Sequence, residues 1–218
     1  MVALDHSANY DSLSRPAPQA TTALVVAALA LAVFAAGFTL RGFSDNGLRF
    51  GTQLVWRFDC LVFFAALVTA PLGRMVPVLQ TLAGATRPLL QGFCAAMAVY
   101  FASILLPNLL AVPDGVRPVG ITTGMTIFAF FTGSVTLVMA AAANRSLCER
   151  VGSKACRTML GLSAIFFWLC YSLIGLAHIS GPHRPDAFYE LSVILMVAAL
   201  LVRFSERFVG SLKRVRAG

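Results

Sequence analysis

Residues 21–40 read TTALVVAALALAVFAAGFTL, twenty residues without an ionisable side chain. At about 1.5 Å rise per residue a helix of that length spans ~30 Å, the thickness of a bilayer's hydrocarbon core. Further apolar runs follow at about 52–72, 88–111, 119–142, 158–179 and 187–206, each bounded by Pro, Gly or charge. Six spans of about 20 residues leave no room among 218 for a folded extramembrane unit. A built-in nucleotide, flavin-reductase or DNA-binding domain is therefore excluded. Composition agrees, with 58% hydrophobic residues, 12% charged and a mean hydropathy of +0.81. The expected fold is an all-α, polytopic membrane bundle of six transmembrane helices over 21–208. A cytoplasmic tail is expected at 1–20 and a basic cytoplasmic tail at 209–218.

The net charge of +8 would suggest nucleic acid in a soluble protein, but here the charges sit between apolar runs, where basic residues set topology and touch anionic lipid. The bilayer is the expected contact and nucleic acid is not. With the N-terminus inside, the inner segments hold Arg15, Arg74, Arg87, Arg145, Arg150, Lys154, Arg157, Arg203, Arg207, Lys213, Arg214 and Arg216; the outer ones hold only Arg41, Arg49, Arg117 and Arg184. That imbalance predicts both termini on the cytoplasmic side. The first 20 residues lack the basic region directly before an apolar core that a cleaved signal requires, so a bacterial inner membrane is the expected location. The five cysteines form no CxxC pair, and neither a disulfide framework nor a zinc site is expected. On the fourth run Gly120 and Gly124 make a GxxxG, followed by Thr132, Gly133 and Ser134, which predicts a helix buried by close packing.

An ionisable group inside hydrocarbon is a functional hypothesis by default, which singles out Arg57 and Asp59 in Trp56-Arg57-Phe58-Asp59-Cys60. With an outer boundary near Thr52, Arg57 lies ~7.5 Å deep and Asp59 ~10 Å deep. Arg57 can reach the headgroups. Asp59 is too short to do so and needs a partner or a proton. Two residues apart, the pair face different ways on a helix. One reading is a structural polar contact between helices, the other a proton or ligand site near the outer surface.

The histidines are His6 in the tail, His178 at the outer end of the fifth run and His183 in the following Gly-Pro turn. A membrane haem b needs two axial nitrogens on facing helices, and this chain has no such histidine pair. An outer-surface proton or metal role is open to His178, beside the plainer one of an interfacial residue. Aromatic residues at Tyr100-Phe101, Phe128, Phe130-Phe131 and Phe166-Phe167-Trp168 suit bundle packing before cofactor stacking. The inner connection at 143–157 carries Asn144, Arg145, Arg150, Lys154 and Arg157, a candidate docking loop for a partner or a headgroup contact. No nucleophile with its base, Walker loop, GxGxxG or HExxH is present. No catalytic residue can be named, and the reading leans against an enzyme.

The order of landmarks resembles the ferric-reductase-like six-helix transmembrane family, which includes the haem-binding membrane subunit of the bacterial methionine sulfoxide reductase system. The resemblance rests on Val68-Thr69-Ala70-Pro71-Leu72-Gly73-Arg74, the basic start at Arg87 to Gly92, and the stretch from Asn144-Arg145 through Val151-Gly152 and Cys156-Arg157 to Phe166-Phe167-Trp168-Leu169. It implies haem ligands in the third and fifth spans. Here those stretches read Ala98-Val99-Tyr100-Phe101-Ala102 and residues 158–167, without histidine, so no ligand carries over. No cofactor or metal is expected. The leading expectation is a non-catalytic accessory or assembly subunit of a larger membrane complex. The alternatives are a redox subunit with haem b or flavin served by a cytoplasmic flavoprotein, and a small-solute or proton-coupled transporter using Asp59.

Overall fold

The computed structural model describes residues 19–42, 44–110, 123–181 and 186–217. The expected N-terminal tail, the start of the fourth run with Gly120, and the turn holding His183 lie outside them. The described chain is helical: α1 Gln19–Leu40, α2 Asp45–Met75, a 3₁₀ segment Pro77–Ala85, α3 Thr86–Leu110, α4 Thr123–Ala143, α5 Arg145–Val151, α6 Ser153–Ile179 and α7 Ala187–Ala217. This is the all-α polytopic bundle, a multi-pass membrane protein.

Five helices are each long and apolar enough to cross a membrane, and a sixth crossing arises if α4 and α5, bent 86° from each other, form one broken span. Contacts between α3 and its neighbours support counting α4. Thr69 and Thr86 lie 3.3 Å apart and Thr52 and Ser103 3.2 Å apart, so α2 and α3 are antiparallel. Phe93 meets Phe167 and Met97 meets Tyr171, so α3 and α6 run parallel. The chain between two parallel neighbours has to return along the bundle, and α4 makes that return. Gln91 at the start of α3 donates to the Ala143 carbonyl at the end of α4, 3.2 Å away, the arrangement an antiparallel pair requires.

Helices α2, α3, α4, α6 and α7 form a ring, each packed on the next, while α1 lies outside in the groove between α2 and α3. Each ring helix sends a large side chain to the centre: Phe63, Phe93, Met139, Phe167 with Tyr171, and Met196, all essentially buried. Parallel helices α2 and α7 are joined at both ends, by Arg57 with Asp186 and by Arg74 with Glu206. The register of the two is held at two points separated by 17 and 20 residues along the helices. Pro71 does not end α2, which runs on to Met75.

Glycine permits close approach where a Cβ would collide, but not on the helix the sequence suggested. A Cβ on Gly175 of α6 would lie 2.6 Å from Val193 Cγ2 of α7, and one on Gly92 of α3 would lie 2.8 Å from Val26 Cγ2 of α1. Gly133 on α4 meets only the Phe101 ring edge at 4.0 Å. The expectation of a buried fourth helix is corrected accordingly: Thr132 and Thr136 face inward, but Ile127, Phe130, Phe131 and Leu137 are more than half exposed. A small residue tightens an interface only where a neighbour's chain comes up to it. Gly175→Val is expected to lose ~2 kcal/mol of bundle stability by forcing α6 from α7, whereas Gly161→Val, with nothing within 4 Å, should change little. Unfolding in mixed micelles measures both.

Candidate functional site

The three candidate polar residues separate into two layers. Arg57 and His178 belong to a cap made by α2, the last turn of α6 and the first turn of α7. Arg57 pairs with Asp186, a partner that sequence reasoning passed over, and its guanidinium lies over the Phe188 ring, 5.2 Å from the centroid. His178 is exposed and stacks on Tyr189 at 3.9 Å, with its Nδ1 2.8 Å from the Ile174 carbonyl. Trp56 stands between them, 5.7 Å from Tyr189, 5.9 Å from Phe188 and 5.4 Å from Tyr171. A single acidic residue just before the last apolar run was the available signal for Asp186.

Asp186 precedes α7 and accepts from the Phe188 N–H at 3.0 Å. That hydrogen bond, and then the Arg57 guanidinium, hold its carboxyl below the usual carboxylate range. A lowered folded value contributes stability that is fully present above the unfolded value and fades as pH falls through the folded one. The cap is therefore expected to weaken only in strong acid. An unfolding series from pH 6 downward should show a low-pH loss that Asp186→Asn reduces.

Asp59 lies two residues, ~3 Å, further along α2 and is completely buried, with neither carboxyl oxygen in a hydrogen bond. Helix α2 begins further back than the hydropathy boundary near Thr52. Ser44 caps that helix by accepting from the Gly47 N–H at 3.4 Å, so it starts seven residues before Thr52. The apolar span Asn46–Met75 has its midpoint ~2 Å along the axis from Asp59. Arg57 and Asp59 do face different ways, and Arg57 is engaged elsewhere. Above the carboxyl lies the Trp56–Tyr171 contact and below it the Phe63–Phe93–Phe167 layer. Cys60, Cys94, Tyr100 and Tyr171 are within electrostatic reach. Neither phenol hydrogen-bonds to it; the Tyr171 hydroxyl faces Met97 Sδ at 3.9 Å. Among the described residues no hydrogen-bond partner meets the expected need of Asp59 for a partner or a proton. An unpaired carboxylate in such surroundings costs several kcal/mol.

The connection at 143–157 is a helix rather than an open loop. Asn144 caps α5 by accepting from the N–H groups of Ser146 and Leu147, and Gly152, at φ +105°, breaks the chain before α6. Asn144 thus has a structural task. Arg145 pairs with Glu149 at 3.3 Å, and Arg157 Nε donates to the Ser153 carbonyl at 3.4 Å. All five residues, Asn144, Arg145, Arg150, Lys154 and Arg157, are exposed. They form a basic rim around a buried Cys148 and Cys156.

A haem in the position implied by the family resemblance does not fit these residues. The space between α3 and α6 is filled by Phe93, 4.9 Å from Phe167 and 6.5 Å from Tyr171, and neither helix presents an imidazole to the centre. Among the described residues no group of three His, Cys, Asp or Glu side chains is placed to hold a metal. No protein-family model, curated protein or solved structure matches the chain.

Proposed function

We propose that this protein is a non-catalytic accessory or assembly subunit of a larger complex in a bacterial inner membrane, with both termini cytoplasmic. Its bundle is ferric-reductase-like in plan and has exchanged the haem positions for aromatic packing. The observation that carries this reading is the centre of the ring. A transporter or redox subunit keeps that space for a solute or a cofactor, whereas here Phe63, Phe93, Phe167 and Tyr171 fill it from three helices in mutual contact. A solid bundle works through its surface. The basic rim of α5 and early α6 suits an acidic inner-face partner. The test is purification of the tagged chain in mild detergent. A partner retained in stoichiometric amount, and lost in Arg150→Glu/Lys154→Glu, is expected; a lone, monodisperse chain would sink the reading.

The second reading, proton-coupled movement of a small solute, is favoured by one observation, the unpartnered Asp59 carboxyl. It predicts uptake into reconstituted vesicles driven by a pH gradient and abolished in Asp59→Asn. Equal uptake by both proteins would remove it.

A further inference from the structure

The corner between α5 and α6 encloses two sulfur atoms. Gly152 turns the chain there, and two backbone hydrogen bonds meet on it: its N–H donates to the Cys148 carbonyl at 2.9 Å, and its carbonyl accepts from the Cys156 N–H at 3.2 Å. Cys148 and Cys156 therefore each stand one hydrogen-bonded turn from the break, on opposite sides of it. Of residues 144–159 these two are the buried ones, Ala155 is half-buried and the others are exposed. The thiols are turned under the corner and lie within hydrogen-bonding reach of each other. Cys148 Sγ also donates to the Ala142 carbonyl at 3.1 Å. Arg87, at the start of α3, is close enough to act electrostatically on the same thiol.

A cysteine buried alone is a small apolar filler, but two thiols that meet form a dithiol, which can hold a soft metal ion or close to a disulfide. The surroundings choose between the two. Among the described residues no third His, Cys, Asp or Glu joins the pair as a metal ligand. Arg87 on one side, and Arg145, Arg150, Lys154 and Arg157 on the exposed surface of the corner, disfavour a cation. The same positive charge favours the thiolate that starts disulfide formation.

We propose that Cys148 and Cys156 are a redox-active pair, which a small hydroperoxide converts to a disulfide tying α5 to α6 across Gly152. The Cys148 thiolate, beside Arg87, attacks one peroxide oxygen; the O–O bond breaks, and the other oxygen leaves as the alcohol, or as water, with the proton that Cys148 gave up. Cys148 is then a sulfenic acid. The Cys156 sulfur attacks it, the S–O bond breaks, and hydroxide leaves as water with the Cys156 proton. The two thiols supply the two electrons that reduce the peroxide. The pair does not depend on the choice of function above.

The test uses the full wild-type chain in lipid nanodiscs, treated with hydrogen peroxide, alkylated after denaturation and digested with trypsin without reduction. Two of the five thiols should be lost to alkylation. The peptides Ser146–Arg150 and Ala155–Arg157 should appear joined, two hydrogens lighter than their sum, and dithiothreitol should separate them. Cys60, Cys94 and Cys170 should remain alkylated. Cys156→Ser should stop at the sulfenic acid, trapped on Cys148 by dimedone. Sulfinic acid at either cysteine without the joined peptide would overturn the proposal, as would a joined peptide formed only between two chains, seen as a dimer on a non-reducing gel. Oxidation of Cys170 ahead of an intact Cys148 and Cys156 would overturn it too.

Discussion

Asp59→Val is expected to raise the stability of the bundle by ~1–3 kcal/mol, the opposite of what most buried substitutions do. The carboxyl is completely buried and neither oxygen has a partner, so the substitution breaks no hydrogen bond. It replaces a group that is costly to desolvate with a β-branched apolar one only slightly larger. Val55 and Phe63, one turn away on either side, are buried as well, so the new side chain joins an apolar stripe. The midpoint of unfolding in an SDS titration measures the effect. A destabilised Asp59→Val would mean that the carboxyl supports the helix packing, restoring the structural reading. A stabilised variant would mean that the residue is kept for something other than the fold, which is how functional groups usually stand in the stability balance. Asp59→Asn in the uptake assay then asks what that something is.

Phe93→Ala is expected to be the most damaging truncation in the centre of the ring. Phe93 is completely buried, 5.0 Å from Phe63 and 4.9 Å from Phe167, and it therefore joins α2, α3 and α6 at the centre of the ring. Removing the phenyl leaves a hole on the order of 100 Å³, which at about 24 cal/mol per Å³ costs ~2 kcal/mol before lost ring contacts are counted. Ring pairs contribute ~0.5–1.5 kcal/mol each beyond their area. A loss of ~3–4 kcal/mol follows. Bilayer lipid is as apolar as the core, so this loss is one of packing rather than of transfer from water. Phe130→Ala on α4, where the ring is 80% exposed, is the matching control and should lose little. Similar losses at the two positions would contradict the central role given to Phe93.

The membrane class, the helical content and the approximate place of each crossing are properties of local composition, and residues such as 21–40 declare them without reference to any neighbour. The same holds for Arg57 and Asp59 being on different faces, since the helical period decides it. Where α2 starts was not legible. Asp45, Asn46, Arg49 and two glycines outnumber Leu48 and Phe50 between Asp45 and Gly51, and a hydropathy boundary falls inside the helix because Ser44 caps it from further back. The short α5 was read as a loop for a related reason: its seven residues are too few and too charged to signal a helix, and the Asn144 cap that starts it is a hydrogen bond, not a composition.

Tertiary structure alone decided what each polar group faces. Arg57 meets Asp186 across 129 residues of sequence, and a pairing of that separation leaves no periodic trace in either segment. Close packing fell on Gly92 and Gly175 rather than on Gly133, because a missing Cβ matters only where another helix approaches, and the approach is set by the whole ring. The same ring leaves Asp59 without a partner. One chain's composition states how costly a buried carboxyl is, but whether that cost is met depends on side chains from α3, α6 and α7 that only folding brings beside it.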